Sequence, residues 1–244
     1  MPTSASLPPL LLVPGLMCDQ AVWQPVLPAL QGLCACSVVD HRQADSLTTM
    51  AQQLLLTAPP RFALAGHSMG ARVALEVLRL APQRVDRLAL LDSGFLARAP
   101  GAAGQDEERK RMALLRTAQQ EGVRSMATQW VQGMVHPARL QDAPLMEAIL
   151  SMFERKTADT FAHQIQALLQ RPDASAVLAA VAVPAMVLCG RQDSWAPVAQ
   201  HAAMQALIPA SELVVIEEAG HMAPMERPDA VAAAMVAWLH ANPH

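Results

Sequence analysis

The chain has 244 residues, of which 52% are hydrophobic and 16% charged, and a net charge of -3. That length accommodates one large domain, or a core plus an insert, and the composition excludes a disordered chain. Basic residues form no stripe with interleaved aromatics, which excludes a nucleic-acid footprint, and no apolar run approaches the roughly 20 residues needed to cross a bilayer.

Met1 to Pro9 has no positively charged region, and the apolar run Leu10 to Val13 is too short for a signal peptide, so the cytoplasm is the expected compartment. Leu10 to Val13, bounded by Pro9 and by Pro14-Gly15, reads as a central parallel strand. Asp19 to Leu30 fits a short helix interrupted by Pro25 and Pro28, and Cys34 to Val39 fits a strand. Cys34 and Cys36 then share one face of that strand, not a zinc knuckle, and with Cys18 and Cys189 they read as buried free thiols.

Asp45 and Ser46 are good caps for a helix whose apolar positions are Leu47, Met50, Ala51, Leu54, Leu55 and Ala58, ended by Pro59-Pro60. Phe62 to Ala65 is an apolar strand, and Met69 to about Ala81 is a helix burying Val73, Ala74, Val77 and Leu78, with Arg72, Glu76 and Arg79 towards water. Between them stands Gly66-His67-Ser68-Met69-Gly70. A serine at the apex of a strand-turn-helix is held in a strained conformation, hydroxyl outward, and only glycines fit two residues before and after it. A plain turn with a capping serine is the competing reading.

Val85 to Leu91 is a further strand, closed by Asp92-Ser93-Gly94. From about Phe95 to Ala180 no strand is evident; helical segments broken by Gly101, Gly104, Gly122, Pro137, Pro144 and Pro172 form an insert. Strand character returns at Ala185 to Cys189, followed by Gly190-Arg191-Gln192-Asp193, a helix from Pro197 to Leu207 and a strand from Glu212 to Ile216. Gly220-His221 follows that strand, and Pro228 opens a last helix. Strands alternating with helices imply an α/β fold, a mostly parallel sheet with helices on both faces, and chemistry at the strands' carboxyl ends. A core of residues 1–94 and 181–244 would carry the insert 95–180.

A serine nucleophile needs a base, and the base needs a carboxylate to fix its tautomer. Ser68, Asp193 and His221 all follow strands, in the chain order expected for such a sheet; Asp92 also ends a strand and is the competing acid. Trp195, two residues beyond Asp193, and Met222, beside His221, are placed in the pocket wall. His67 reads as structural, His136 and His163 have no partner pattern, and Glu226 reads as a loop brace.

The chain resembles the α/β-hydrolase superfamily along nearly its whole length, in Val13-Pro14-Gly15, Gly66-His67-Ser68-Met69-Gly70, Gly190-Arg191-Gln192-Asp193 and Ala219-Gly220-His221 through Pro228. The resemblance implies that 95–180 is a helical cap and that the backbone N–H groups of Leu16 and Met69 form the oxyanion hole. It also implies cleavage of a small carboxylic ester, with no cofactor or metal. The same triad would serve carbon–carbon bond or enol-lactone hydrolysis, acyl transfer or cofactor-free peroxidation, and a ligand-binding receptor with a vestigial site is the reading from another class. Two departures stand out. Pro14-Gly15 replaces the usual His-Gly, which would remove a brace of the oxyanion loop, and Asp40 to Asp45 replaces a glycine-rich loop. The cap's charges are expected on its outer surface, with methionines Met112, Met126, Met134, Met146 and Met152 mostly packing, so that short to medium uncharged acyl esters would be preferred.

Overall fold

Six strands form one sheet in the order β2-β1-β3-β4-β5-β6, every neighbouring pair parallel. They are β1 (Leu10–Val13), β2 (Cys36–Val38), β3 (Phe62–His67), β4 (Val85–Leu91), β5 (Ala185–Gly190) and β6 (Ser211–Ile216). The computed structural model describes residues 7–208 and 210–242, so most of the expectation for Met1 to Pro9 lies outside the described residues. The central strands β1, β3 and β5 are buried along their whole length, which is why each reads as an unbroken apolar run.

The helices are α1 (Leu27–Gln31), α2 (Leu47–Thr57), α3 (Met69–Leu80), α4 (Gly101–Glu121), α5 (Val123–Trp130), α6 (Ala143–Glu154), α7 (Ala158–Leu169), α8 (Ser175–Ala179), α9 (Val198–Leu207), α10 (Ala223–Glu226) and α11 (Pro228–His240). Ser46 caps α2 by accepting from the Thr49 N–H at 3.1 Å, and Pro228 stands in the first turn of α11, where its missing N–H costs nothing. The chain crosses from β2 at one edge over β1 to β3, so the crevice between the ends of β1 and β3 is where the strand order reverses. Ser68 and the Pro14-Gly15 loop meet there.

The two glycines of the elbow are fixed by contact. A Cβ on Gly66 would lie 2.4 Å from the Gly70 carbonyl oxygen, and one on Gly70 would lie 2.1 Å from that of Val13. Both obstructions are backbone, so a side chain on Gly66 would push the start of α3 away from β3, and one on Gly70 would push it away from the end of β1. Ser68 itself has φ 55°, in the left-handed region that L-residues seldom occupy.

Several expectations are corrected. The second strand is Cys36–Val38, not Cys34 to Val39, because it is an edge strand paired only with β1 over three residues. Cys34 and Cys36 are half-buried, their sulfurs 4.0 Å apart. Asp19 to Leu30 holds a 3-10 turn, Gln20–Val22, and the separate α1; Pro25 stands in the turn between them, whereas Pro28 sits in the first turn of α1 and does not interrupt it. Gly101 and Gly104 lie within α4 and Pro144 in the first turn of α6, so they do not break helices. Glu76 is buried, not turned to water. It accepts from Thr48 Oγ1 on α2 and from Arg79 at 2.5 and 2.6 Å, so it pins α3 to its neighbour.

Candidate active site

Three strand ends deliver the reactive groups. Ser68 follows β3, Asp193 follows β5, and His221 follows β6 through Glu217–Gly220. Ser68 Oγ is 2.8 Å from His221 Nε2, and His221 Nδ1 is 2.8 Å from Asp193 Oδ2. The other carboxylate oxygen accepts the Trp195 and Ala196 N–H groups, each at 2.9 Å. An ionised Asp193 accepts the Nδ1 proton, which leaves Nε2 free to accept from the serine hydroxyl. Burial raises the Asp193 pKa, but the charge and hydrogen bond of His221 and the two backbone donors outweigh it and hold the carboxyl below its ordinary value.

The elbow and the histidine loop are cross-braced. Ser68 N–H donates to the Leu91 carbonyl and Ser93 Oγ donates to that of Ser68, both at 2.8 Å. His67 Nε2 donates to the His221 carbonyl at 2.8 Å. Burial first, and then the His221 charge, push the His67 pKa down to about 3, so this ring is a neutral strut. Glu226 accepts the N–H groups of Gly220, Met222 and His136, at 2.9, 3.2 and 2.7 Å, and holds the His221 loop from below.

Asp92 stands apart from this chain. Its Oδ1 accepts the Gly190 N–H at 2.9 Å, and its other oxygen lies 3.9 Å from His67 Nε2. Burial, reinforced by the Asp193 charge, holds its pKa well above the ordinary carboxylate value. It forms no hydrogen bond or ion pair with His221.

Leu16 and Met69 both border the cavity at Ser68. Met69 opens α3, so its N–H points out of the helix end, where the macrodipole favours negative charge. A Cβ on Gly15 would lie 3.0 Å from Ser68 Cβ, which brings the Leu16 loop against the serine. The brace that Pro14 in place of histidine seemed to remove is supplied from elsewhere. Buried His41 donates from Nε2 to the Pro14 carbonyl at 2.9 Å, and Gln164 of α7 accepts the Met17 N–H at 2.7 Å. Neither residue carries a signal in the sequence: His41 is one polar residue in a polar loop, and Gln164 is 147 positions from its partner.

Gln164→Leu would leave the Met17 N–H without its acceptor in a buried site, costing about 1–3 kcal/mol of stability. Gln164→Glu, which keeps an acceptor, should recover part of that loss. Urea unfolding of both variants measures the difference; equal loss in the two would mean that the hydrogen bond is not what matters there.

The cavity measures about 380 Å³. Trp195 borders it, its ring 5.0 Å from that of His221 and stacked at 5.4 Å on Trp130, which in turn meets Phe153. Met222 and Met134 complete that wall, whereas Met126 and Met152 are buried as packing and Met112 is exposed. Trp130 and Phe153 were not singled out in the sequence, since one aromatic on an amphipathic helix reads as core. The expectation that the charges between β4 and β5 face outward fails in part: Glu107, Lys110 and Arg111 of α4 border the cavity, as does Arg72 of α3.

A hydroxyl, an imidazole and a carboxylate in hydrogen-bonded series, at the crevice of a parallel sheet, define an α/β hydrolase. The family model described as alpha/beta hydrolase fold matches residues 8–228, and the chain belongs to that family. Over 181 residues it is 35% identical to the dihydrolipoyllysine-residue acetyltransferase component of the acetoin cleaving system of Pseudomonas putida, covering 72% of this chain but 45% of that protein. The chain thus spans less than half of that relative, and 66% of the RutD protein of Klebsiella pneumoniae subsp. pneumoniae. It is 27% identical to the pimeloyl-[acyl-carrier protein] methyl ester esterase of Nitrosomonas europaea, covering 90% of each. Among solved structures, a thermophilic esterase from Thermogutta terrifontis superposes with a TM-score of 0.82 at 26% identity, over 95% of this chain and 89% of that one. The enol-lactonase from Burkholderia xenovorans LB400 gives 0.84 at 20% identity, over 98% and 94%, a likeness of fold. No helix among the described residues is long and apolar enough to cross a membrane.

Proposed function

We propose that the protein is a serine hydrolase that cleaves a small carboxylic ester through an acyl-enzyme. The observation that carries this reading is the pair of 2.8 Å contacts joining Ser68 to His221 and His221 to Asp193 beside a cavity of about 380 Å³. Ser68 Oγ attacks the carbonyl carbon as its proton passes to His221 Nε2, and Asp193 stabilises the imidazolium that forms. The carbonyl oxygen, now an anion, takes hydrogen bonds from the Leu16 and Met69 N–H groups. Collapse breaks the ester bond, with the Nε2 proton leaving on the alcohol. Water then repeats the sequence on the acyl-enzyme, releasing the acid and restoring Ser68. The curated esterase of similar length supports an ester as the bond cleaved, and four free cysteines suit a cytoplasmic setting.

Residues 95–180 act as a cap in this reading, roofing the serine and excluding water. A fluorophosphonate should label Ser68 in the folded protein, and a panel of p-nitrophenyl esters, lactones and diketones should show esters turned over fastest. Faster cleavage of lactones or diketones would replace the ester by that bond. Across acyl chains of two to sixteen carbons kcat/KM should peak in the short to medium range, because the cavity is about 380 Å³ and residues of the helical segment border it. A maximum at twelve carbons or beyond, or activation by micelles, would rule out a roofed pocket.

A further inference from the structure

The cavity has a cationic side that the reaction described above does not use. Arg72 stands on α3 four residues after Ser68, so it faces the same way about 6 Å further along the helix axis. Its guanidinium borders the cavity, Nη2 lying against Gly94 and Nη1 donating to the Leu96 carbonyl at 3.0 Å. Among the described residues it forms no ion pair.

The neighbouring carboxylates are engaged elsewhere. Glu107 accepts both terminal nitrogens of Arg171, at 2.7 and 2.8 Å, and Nε of Arg111 at 2.9 Å. Asp173 accepts the Ser175 N–H at 2.8 Å, and Lys110 at the rim pairs with Asp106 at 2.8 Å. Three guanidinium groups, on Arg72, Arg111 and Arg171, therefore gather around one carboxylate that is bonded to two of them. Burial, the nearby Arg171 and, less strongly, Arg111 lower the Arg72 pKa to about 9 against the pull of Glu107 and Asp173, and it is still a cation at neutral pH. A partly desolvated cation whose hydrogen-bond acceptor is a backbone carbonyl and not a carboxylate is costly, and an arriving carboxylate would relieve that cost while taking a two-pronged hydrogen bond.

We infer that Arg72 anchors an anion subsite within the catalytic cavity, and that the ester cleaved at Ser68 carries a carboxylate a few bonds from the scissile carbonyl. This rests on Ser68 being the nucleophile of an esterase. It also reverses the preference for uncharged esters that the sequence suggests.

Monomethyl esters of straight-chain dicarboxylic acids of four to eight carbons should be compared with methyl esters of the matching monocarboxylic acids. A second arm moves the carboxylate to the alcohol side, as in butyryl esters of hydroxy acids. In one of these arms the anionic ester should exceed its neutral counterpart at least tenfold in kcat/KM, and added salt should shrink that ratio. Arg72→Gln should lower the ratio at least tenfold, Arg72→Lys should keep part of it, and Arg116→Gln, exposed on α4, should leave it unchanged. Should Arg72→Gln not fold, the unaltered protein still decides: free dicarboxylates should inhibit neutral-ester cleavage competitively, and better than monocarboxylates of equal length. A ratio at or below one in both arms, with neutral esters cleaved and Ser68 labelled, overturns the subsite and leaves the esterase reading intact. No cleavage of any ester and no labelling overturns both.

Discussion

Ser68→Ala should lower kcat by roughly 10⁶-fold, the scale seen when the nucleophile of such a unit is removed, and should abolish fluorophosphonate labelling. The fold should survive, since the elbow is held by the Ser68 N–H to Leu91 and the Ser93 hydroxyl to the Ser68 carbonyl, neither of which uses the serine side chain. Circular dichroism and the thermal midpoint would verify that. A purified variant that kept more than a tenth of the esterase activity would remove Ser68 from the mechanism.

The second large effect separates two acids. Asp193→Asn should cost about 10⁴ in kcat, because an amide can donate to His221 Nδ1 and so favour the tautomer whose Nε2 bears the proton and cannot accept from Ser68. The loop should hold, since the carbonyl oxygen of the asparagine can still take the Trp195 and Ala196 N–H groups. Asp92→Asn should cost less than tenfold. Asp92 faces the Gly190 N–H and His67, and the carbonyl oxygen of an asparagine can accept the same Gly190 N–H. A larger loss from Asp92→Asn than from Asp193→Asn under one assay would transfer the role.

Those parts of the fold that depend on local pattern were legible. Leu10–Val13 and Ala185–Gly190 are unbroken apolar runs, as is β4 from Leu88 onward, because strands covered on both faces have no polar side to show. Ser68, Asp193 and His221 stand out because each comes shortly after a strand, and the elbow glycines announce a close approach that the Val13 carbonyl supplies to Gly70. What escaped is set by partners far away in the chain. Glu76 looks like a solvent-facing helix residue until Thr48, 28 positions earlier, donates to it, and His41 looks like loop until it meets Pro14. The charged side of the cavity was hidden for the same reason: Glu107 and Arg111 belong to an amphipathic helix, and no periodicity tells which of its polar residues turns under a roof.

The helical segment between β4 and β5 supplies acceptors to both the Pro14-Gly15 loop and the His221 loop, the two halves of the proposed catalytic apparatus. Gln164 takes the Met17 N–H beside the oxyanion loop, and the Met134 carbonyl takes the His221 N–H at 2.7 Å. Selectivity and turnover are therefore not separable modules for an engineer. A chimera that exchanged residues 95–180 for another protein's helices would alter the pocket and, in the same cut, unfasten the proposed base His221 and the proposed oxyanion loop, unless the donor brought an acceptor to each of those two positions.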